Sequence, residues 1–302
     1  MAITLDQLIS RVRRELRGYT LDQASMTVLA ADMLAADSTF MVELDDITEI
    51  SRGLVEIDDE LILVKSYDSQ TGVVSVMGGT AGRGAEDTTA ATHVNGALVT
   101  SSPTFPRSVI KSAITDSIRA LYPSLVVFDI VDFPYVAAQT EYPLPADVKD
   151  IWTIVGRWVG PEKVSGAMSN WRFNSEAYTA DFPTGKSVQL WSGITPGQNV
   201  RVLYTREPSV LTANSDEFTT TGYPERVADL VVWDTAKRLL PSLMSARLQQ
   251  TSVESTERAQ LVGTSDVNRA VQVYAALYAE RLQQERDRMY QEVPTYQTFQ
   301  GS

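Results

Sequence analysis

Residues 53–99 read GLVEIDDELILVKSYDSQTGVVSVMGGTAGRGAEDTTAATHVNGALV, and the change of period in and around this stretch decides the fold. Within it Val55, Ile57, Leu61, Leu63, Val74 and Val76 alternate with polar or charged residues. That is the period of two expected of half-buried antiparallel strands. Asp58-Asp59 and Gln70-Thr71-Gly72 supply turn chemistry between them. On both flanks the apolar period lengthens to that of a helix, so the segment is expected to be a small β-unit set into a helical body.

Upstream, the tetrapeptide T-L-D-Q occurs twice, at Thr4–Gln7 and Thr20–Gln23. Each copy is a capping box, in which the Thr hydroxyl accepts from the N3 amide and the Gln reaches back to the cap. Leu5, Leu8, Ile9, Val12 and Leu16 then hold helical spacing up to a stop at Gly18. The second copy predicts a helix from Leu21 to about Ala36, with Ala24, Val28, Ala31 and Leu34 along one side, completing an αα-hairpin. Downstream of Pro103 and Pro106 a further helix carries Ile110, Ile114, Ile118 and Leu121 and ends at Tyr122-Pro123.

A second β-rich block covers about Val126 to Tyr204, with five strand-like runs between Pro, Gly and Asn turns. Helical spacing resumes at Tyr223-Pro224 with Val227, Leu230, Val231 and Leu239, and is expected to falter at Pro241. Ser242–Ser265 is polar, a helix broken by loops. A last helix runs from about Asp266 to Tyr290, with Ala270, Val273, Tyr274, Leu277 and Arg281 in register. The fold class expected is α+β: a helical bundle interrupted by two β-rich insertions, with an extended C-terminal tail. Its segments are an N-terminal helical hairpin over 1–38, a small β insertion over 39–103 and a bundle helix over 104–123. A larger, sandwich-like insertion follows over 124–210, then C-terminal bundle helices over 211–290 and a docking tail over 291–302.

Composition narrows the function. The 302-residue chain carries 38 acidic against 26 basic residues, a net charge of −12. No cluster of Lys and Arg offsets that acidity, so a nucleic-acid reader is disfavoured. The absence of cysteine removes thiol catalysis and thiolate metal sites. With no apolar run long enough for a signal peptide or a membrane span, a soluble protein made in the cytoplasm is expected.

No residue pattern selects a reaction. The single histidine, His93, lies among Thr89, Thr92 and Asn95, which do not supply a catalytic partner; a turn-capping role is expected. Gly78, Gly79, Gly82 and Gly84 lack the Lys and the helix of a phosphate loop, and are expected to serve turns. Asp45-Asp46 and Asp58-Asp59-Glu60 lack the alternating spacing of a calcium loop and are expected to be solvated turns. Four of the five Trp, at 152, 158, 171 and 191, fall in the second β-block. Core packing is expected of them, the alternative being a carbohydrate-binding face. No catalytic residue, cofactor or metal is therefore expected. The ending differs: Tyr290, Val293, Pro294, Tyr296 and Phe299 are large apolar groups on a segment too short to own a core. Such a piece is expected to dock in a groove, of a partner or of its own fold.

Taken together, Gly53–Val64 and the pattern R-G-x-x-x-T-x-A-x-x-H-x-x-G resemble the β-insertion of head–tail connector (adaptor) proteins of tailed double-stranded-DNA bacteriophages. That pattern is Arg83, Gly84, Thr88, Ala90, His93 and Gly96, with Asp87 where a glycine is usual. The Y-P-L-P at Tyr142–Pro145 and the runs F-P-T-G-K-S-V-Q-L-W and V-R-V-L-Y are similar to other phage neck and virion proteins. The resemblance implies a structural protein of the virion neck, assembled in the host cytoplasm. It implies a homo-oligomeric ring of twelve copies beneath the portal protein, joining capsid to tail, with a further neck or tail protein as the next partner. Genomic DNA would pass through such a ring during packaging and ejection without sequence-specific binding, and no membrane is involved. Tyr290, Val293, Pro294, Tyr296 and Phe299 would dock on the portal. A stopper or baseplate-associated component is the alternative within the same setting.

Overall fold

The computed structural model describes residues 2–17, 25–44, 50–157, 165–191, 196–251 and 264–292. The chain divides into two compact units, one of Thr4–Ser117 with Asp229–Tyr278, the other of Met1–Ile3, Ile118–Ala228 and Ala279–Ser302.

The first unit opens with α1 (Leu5–Arg17), and its cap is the expected one. The Gln7 amide donates to Thr4 Oγ1 and the Thr4 amide to Gln7 Oε1, both at 3.3 Å. Leu5, Leu8, Ile9, Val12 and Leu16 form its buried stripe. Strands β1 (Ser25–Val28), β2 (Thr39–Met41), β3 (Gly53–Ile57), β4 (Glu60–Asp68), β5 (Val73–Val76) and β6 (Leu98–Ser101) build one antiparallel sheet in the order β1-β6-β3-β4-β5-β2. Its two edges are tied to each other. Leu29 bridges Val42, Ala30 N donates to Met41 O at 2.9 Å and Glu43 N to Val28 O at 3.0 Å. The sheet therefore curls around a core that includes Leu29, Phe40, Val55, Ile62, Val74 and Val99.

β3 and β4 meet through the two-residue turn Asp58-Asp59, and Asp58 takes φ +53° there. Ile62 and Val64 of β4 point into the core, whereas Leu61 and Leu63 lie on the opposite face. Four consecutive apolar residues leave alternation unable to choose between those faces. Helix α2 (Arg107–Ala120) follows β6. Its first amide, Arg107 N, donates to Glu56 Oε1 of β3 at 2.8 Å, which caps the helix from the sheet. Glu56 also receives both contacts of Arg13 from α1, each at 2.9 Å.

In the second unit, β7 (Val127–Pro134), β8 (Glu141–Pro143), β9 (Asp150–Arg157), β10 (Ser165–Ala167), β11 (Trp171–Asn174), β12 (Ser187–Leu190) and β13 (Asn199–Arg206) form two sheets. Their orders are β10-β9-β13-β7 and β11-β12-β8. Val188, Tyr142, Ile154, Val200 and Val202 from both sheets share one core, the packing of a sandwich. Tyr142 stacks on Phe133 at 4.6 Å, and its hydroxyl accepts from Val136 N at 2.9 Å.

Helix α3 (Ala228–Thr251) continues through Pro241, where a break was expected, and α4 (Thr264–Glu292) begins and ends within two residues of its predicted limits. The domain boundary falls within α4, between Tyr278 and Ala279.

The expected helical bundle with β insertions is not the fold. Among the described residues, thirteen strands in three sheets stand against four α-helices, and the body is β-sheet. The clearest correction is the second hairpin helix: residues 25–28 form β1, paired with β6 from Ser25↔Ser101 to Val28↔Leu98. The pairing lies about seventy residues away in sequence, and such a partner overrides local helical spacing in a run containing Thr27 and Val28. The second T-L-D-Q lies outside the described residues.

Candidate functional site: a buried ion cluster and an apolar pocket

In the first unit the acidic turn and the glycine-rich segment meet at one end of the β-core. Glu60 shares the inward face of β4 with Ile62 and Val64, and is 1% exposed. Arg83 grips it with two bonds, Nε to Oε1 at 2.6 Å and Nη2 to Oε2 at 2.8 Å. The amides of Gly84 and Ala91 donate to the same carboxylate at 3.0 and 2.9 Å. His93 Nε2 lies 2.9 Å from Glu60 Oε2, and its Nδ1 lies 2.8 Å from Asp58 Oδ2. The remaining Arg83 donors reach the carbonyls of Leu34, Asp37 and Ala91.

Two shifts follow. Burial pushes the Glu60 carboxyl up, but the Arg83, His93 and amide hydrogen bonds outweigh it and hold the pKa at about 2. Burial pulls His93 down, yet the carboxylates of Glu60 and Asp58 overcome that and raise it. Both ring nitrogens face oxygens that only accept, so the ring sits between them as an imidazolium. In that pairing the ring has no nitrogen lone pair left to accept a proton. The cluster clips the 83–96 segment to the sheet.

The family-pattern residues all take part in this segment. Thr88 Oγ1 accepts from Leu61 N at 3.0 Å and donates to Ala85 O at 2.8 Å. Gly84 has φ +60°, and a Cβ there would lie 2.8 Å from Thr88 O. The same Cβ would lie 3.0 Å from Ala90 N, and Gly96 N donates to Leu29 O at 2.9 Å. Asp87, in place of the usual glycine, adopts φ +62°, the left-handed backbone that a glycine takes freely.

Asp58-Asp59 is the expected turn, with Asp58 exposed, but Glu60 is buried. Each carboxylate has its own cation: Asp58 meets His93, Glu60 meets Arg83, and Asp59 meets Arg107 at 2.9 Å and Lys111 at 3.7 Å. The sequence signal existed, since three acids precede an Arg and the lone His. The spacing of more than twenty residues hid the pairing. Among the described residues no group of three or more His, Asp or Glu side chains is placed to hold a metal ion. Asp45-Asp46 lie outside the described residues, as does Trp158. Trp171 packs on the sandwich core, while Trp152 and Trp191 are 38% and 55% exposed.

The second unit holds a pocket of about 530 Å³. Leu125, Phe128, Leu203, Tyr223, Val227 and Met289 line it together with the charged Arg226, Glu285 and Glu292. Arg226 pairs with Glu285 at 2.8 Å and with Glu292 at 2.6 Å. Arg281 and Arg288 also reach Glu285, at 3.1 and 2.9 Å. At the edge, Trp152 meets Phe128 edge-on at 5.4 Å and Tyr290 at 6.2 Å. Of the expected docking residues, Tyr290 is 49% exposed and lies against Trp152. Val293, Pro294, Tyr296 and Phe299 lie outside the described residues.

Residues 87–297 match the model of the SU10 adaptor protein family, well over half of the chain. The chain belongs to that family. It is thus related to bacteriophage adaptors, structural components of the virion. The matched span contains Thr88, Ala90, His93 and Gly96 and begins just after Arg83 and Gly84. No curated protein matches the chain. No helix among the described residues is long and apolar enough to cross a membrane.

Proposed function

We propose that this adaptor-family chain is a neck protein: a ring of twelve copies beneath the portal that joins capsid to tail and lets the genome pass. The family match over residues 87–297 carries the reading. Two features support it. The first is charge: with −12 per chain, a ring of copies presents DNA with a repulsive lumen rather than a grip. The second is the end of α4, where Tyr290 stands half-exposed and leads into Val293, Pro294, Tyr296 and Phe299. These residues form the portal-docking segment, and the next neck or tail protein meets another surface of the ring. The Arg83, Gly84, Thr88, Ala90, His93 and Gly96 pattern is a structural clip and performs no reaction.

Truncation after Tyr290 tests the docking. Co-purification with portal is expected to be lost while the far-ultraviolet circular dichroism of the isolated protein stays near wild type. Undiminished association with portal would overturn the docking claim.

A further inference from the structure

The smaller sheet of the second unit, β11-β12-β8, hides one face in the sandwich core, where Tyr142, Phe173, Val188 and Leu190 pack. Alternation and register therefore set Arg172, Gln189 and Glu141 side by side on the outer face, with Asn174 and Ser187 in the next row. The side chains meet there. Ser187 Oγ donates to Glu141 Oε1, Gln189 Nε2 donates to Glu141 Oε2 at 3.2 Å, and Asn174 Nδ2 donates to Glu141 Oε1 at 3.5 Å. These hydrogen bonds, that of Ser187 foremost, hold the Glu141 carboxyl below its usual range and fix a charged acceptor in place. Beyond β12 the ladder runs on for one residue, since Trp191 N donates to Asn170 O at 3.2 Å. Trp191 thereby shares the outer face with Gln189, and it is 55% exposed.

Two chemistries thus meet on one surface. An exposed indole offers an apolar plane to whatever lies on it. About 7 Å along the strand stands the row Arg172, Gln189 and Glu141, its members about 5 Å apart. The row runs from a guanidinium that donates, through an amide that donates and accepts, to a carboxylate that accepts. Arg172 is exposed and has no ion-pair partner among the described residues, and with Glu141 it brings the row to zero net charge. An anion would be repelled by Glu141 and a cation by Arg172. A neutral pyranose suits both parts: one face of its ring presents C–H groups to the indole, and its neighbouring hydroxyls each donate and accept.

We propose that the outer face of β11-β12-β8 binds a neutral hexopyranose saccharide, with Trp191 under the C–H face of one ring and Arg172, Gln189 and Glu141 holding its hydroxyls. The proposal does not rest on the portal ring, since every residue it uses lies within one chain.

Saturation-transfer difference NMR on the full chain tests it, with trisaccharides of glucose, galactose, mannose and N-acetylglucosamine as probes. At least one probe is expected to receive saturation, concentrated on its ring C–H protons. Trp191→Ala is expected to weaken binding about tenfold, the scale of one aromatic anchor, and Gln189→Ala to weaken it as well. Trp191→Phe should retain it, and Trp152→Ala, at a second exposed tryptophan, should leave it unchanged. Each variant is matched to wild type by circular dichroism. Transfer to none of the probes, transfer that survives Trp191→Ala, or an equal loss in Trp152→Ala would overturn the proposal.

Discussion

Glu60 accepts five hydrogen bonds from four residues while 1% exposed, and this one carboxylate organises the most polar part of the first unit. Removing one partner of a buried ionic group leaves the others uncompensated, which costs about 3–5 kcal/mol. Glu60→Gln is therefore expected to lower the urea-unfolding stability by about that amount, and a loss below about 1 kcal/mol would contradict the network. The two shifts act on opposite sides of the pH scale. Glu60 has its pKa depressed, so its contribution is present above about 4.5 and is lost as pH falls toward about 2. His93 has its pKa raised, so its contribution is complete below about 6.5 and is lost as pH rises through the folded value. The stability gap between wild type and His93→Gln should thus be largest below about pH 6.5 and shrink as pH rises above it; a gap that does not change with pH would refute the imidazolium. Asp87 gives a third expectation. At φ +62° a glycine relieves backbone strain, so Asp87→Gly should leave the melting temperature unchanged or raise it, by at most about 1 kcal/mol in stability. Of all this the sequence displayed the residues but not the partners. His93 stood out as the lone histidine and was expected to cap a turn, whereas it meets carboxylates 33 and 35 residues away that no local pattern announces.

At the scale of elements, one tetrapeptide separates what local sequence decides from what it does not. The first T-L-D-Q folds as its chemistry dictates, with both capping-box bonds made, and Thr4→Ala should cost about 1 kcal/mol. Residues 25–28 after the second copy become β1, because β6 offers an unpaired ladder and the edge strands join through Leu29 and Val42. Turns were legible where their residues are specific, as at Asp58-Asp59, because a two-residue hairpin demands a left-handed backbone. Strand faces were not legible where β4 is apolar on both sides. The α2 cap was equally hidden, since Glu56 reaches Arg107 across 51 residues. Glu56→Ala removes that cap and leaves Arg13 without its carboxylate, and is expected to lower stability by about 2 kcal/mol in thermal or urea unfolding.

For the whole molecule, the long periodic segments at Leu5–Arg17, Arg107–Ala120 and Thr264–Glu292 were legible as helices. What they add up to was not. Counting amphipathic stripes suggested a bundle, but a stripe on a helix says only that it is covered, not by what. Sheets assembled from short strands build two core clusters of their own instead. Family membership fixes the setting as a phage adaptor, and the neck ring is the account's central claim. Negative-stain imaging of the full chain mixed with its purified portal tests it most directly. A ring of added density on one face of the portal, with twelve copies around the axis, is the predicted result. Portal particles that remain unchanged at saturating concentrations of the chain would contradict it.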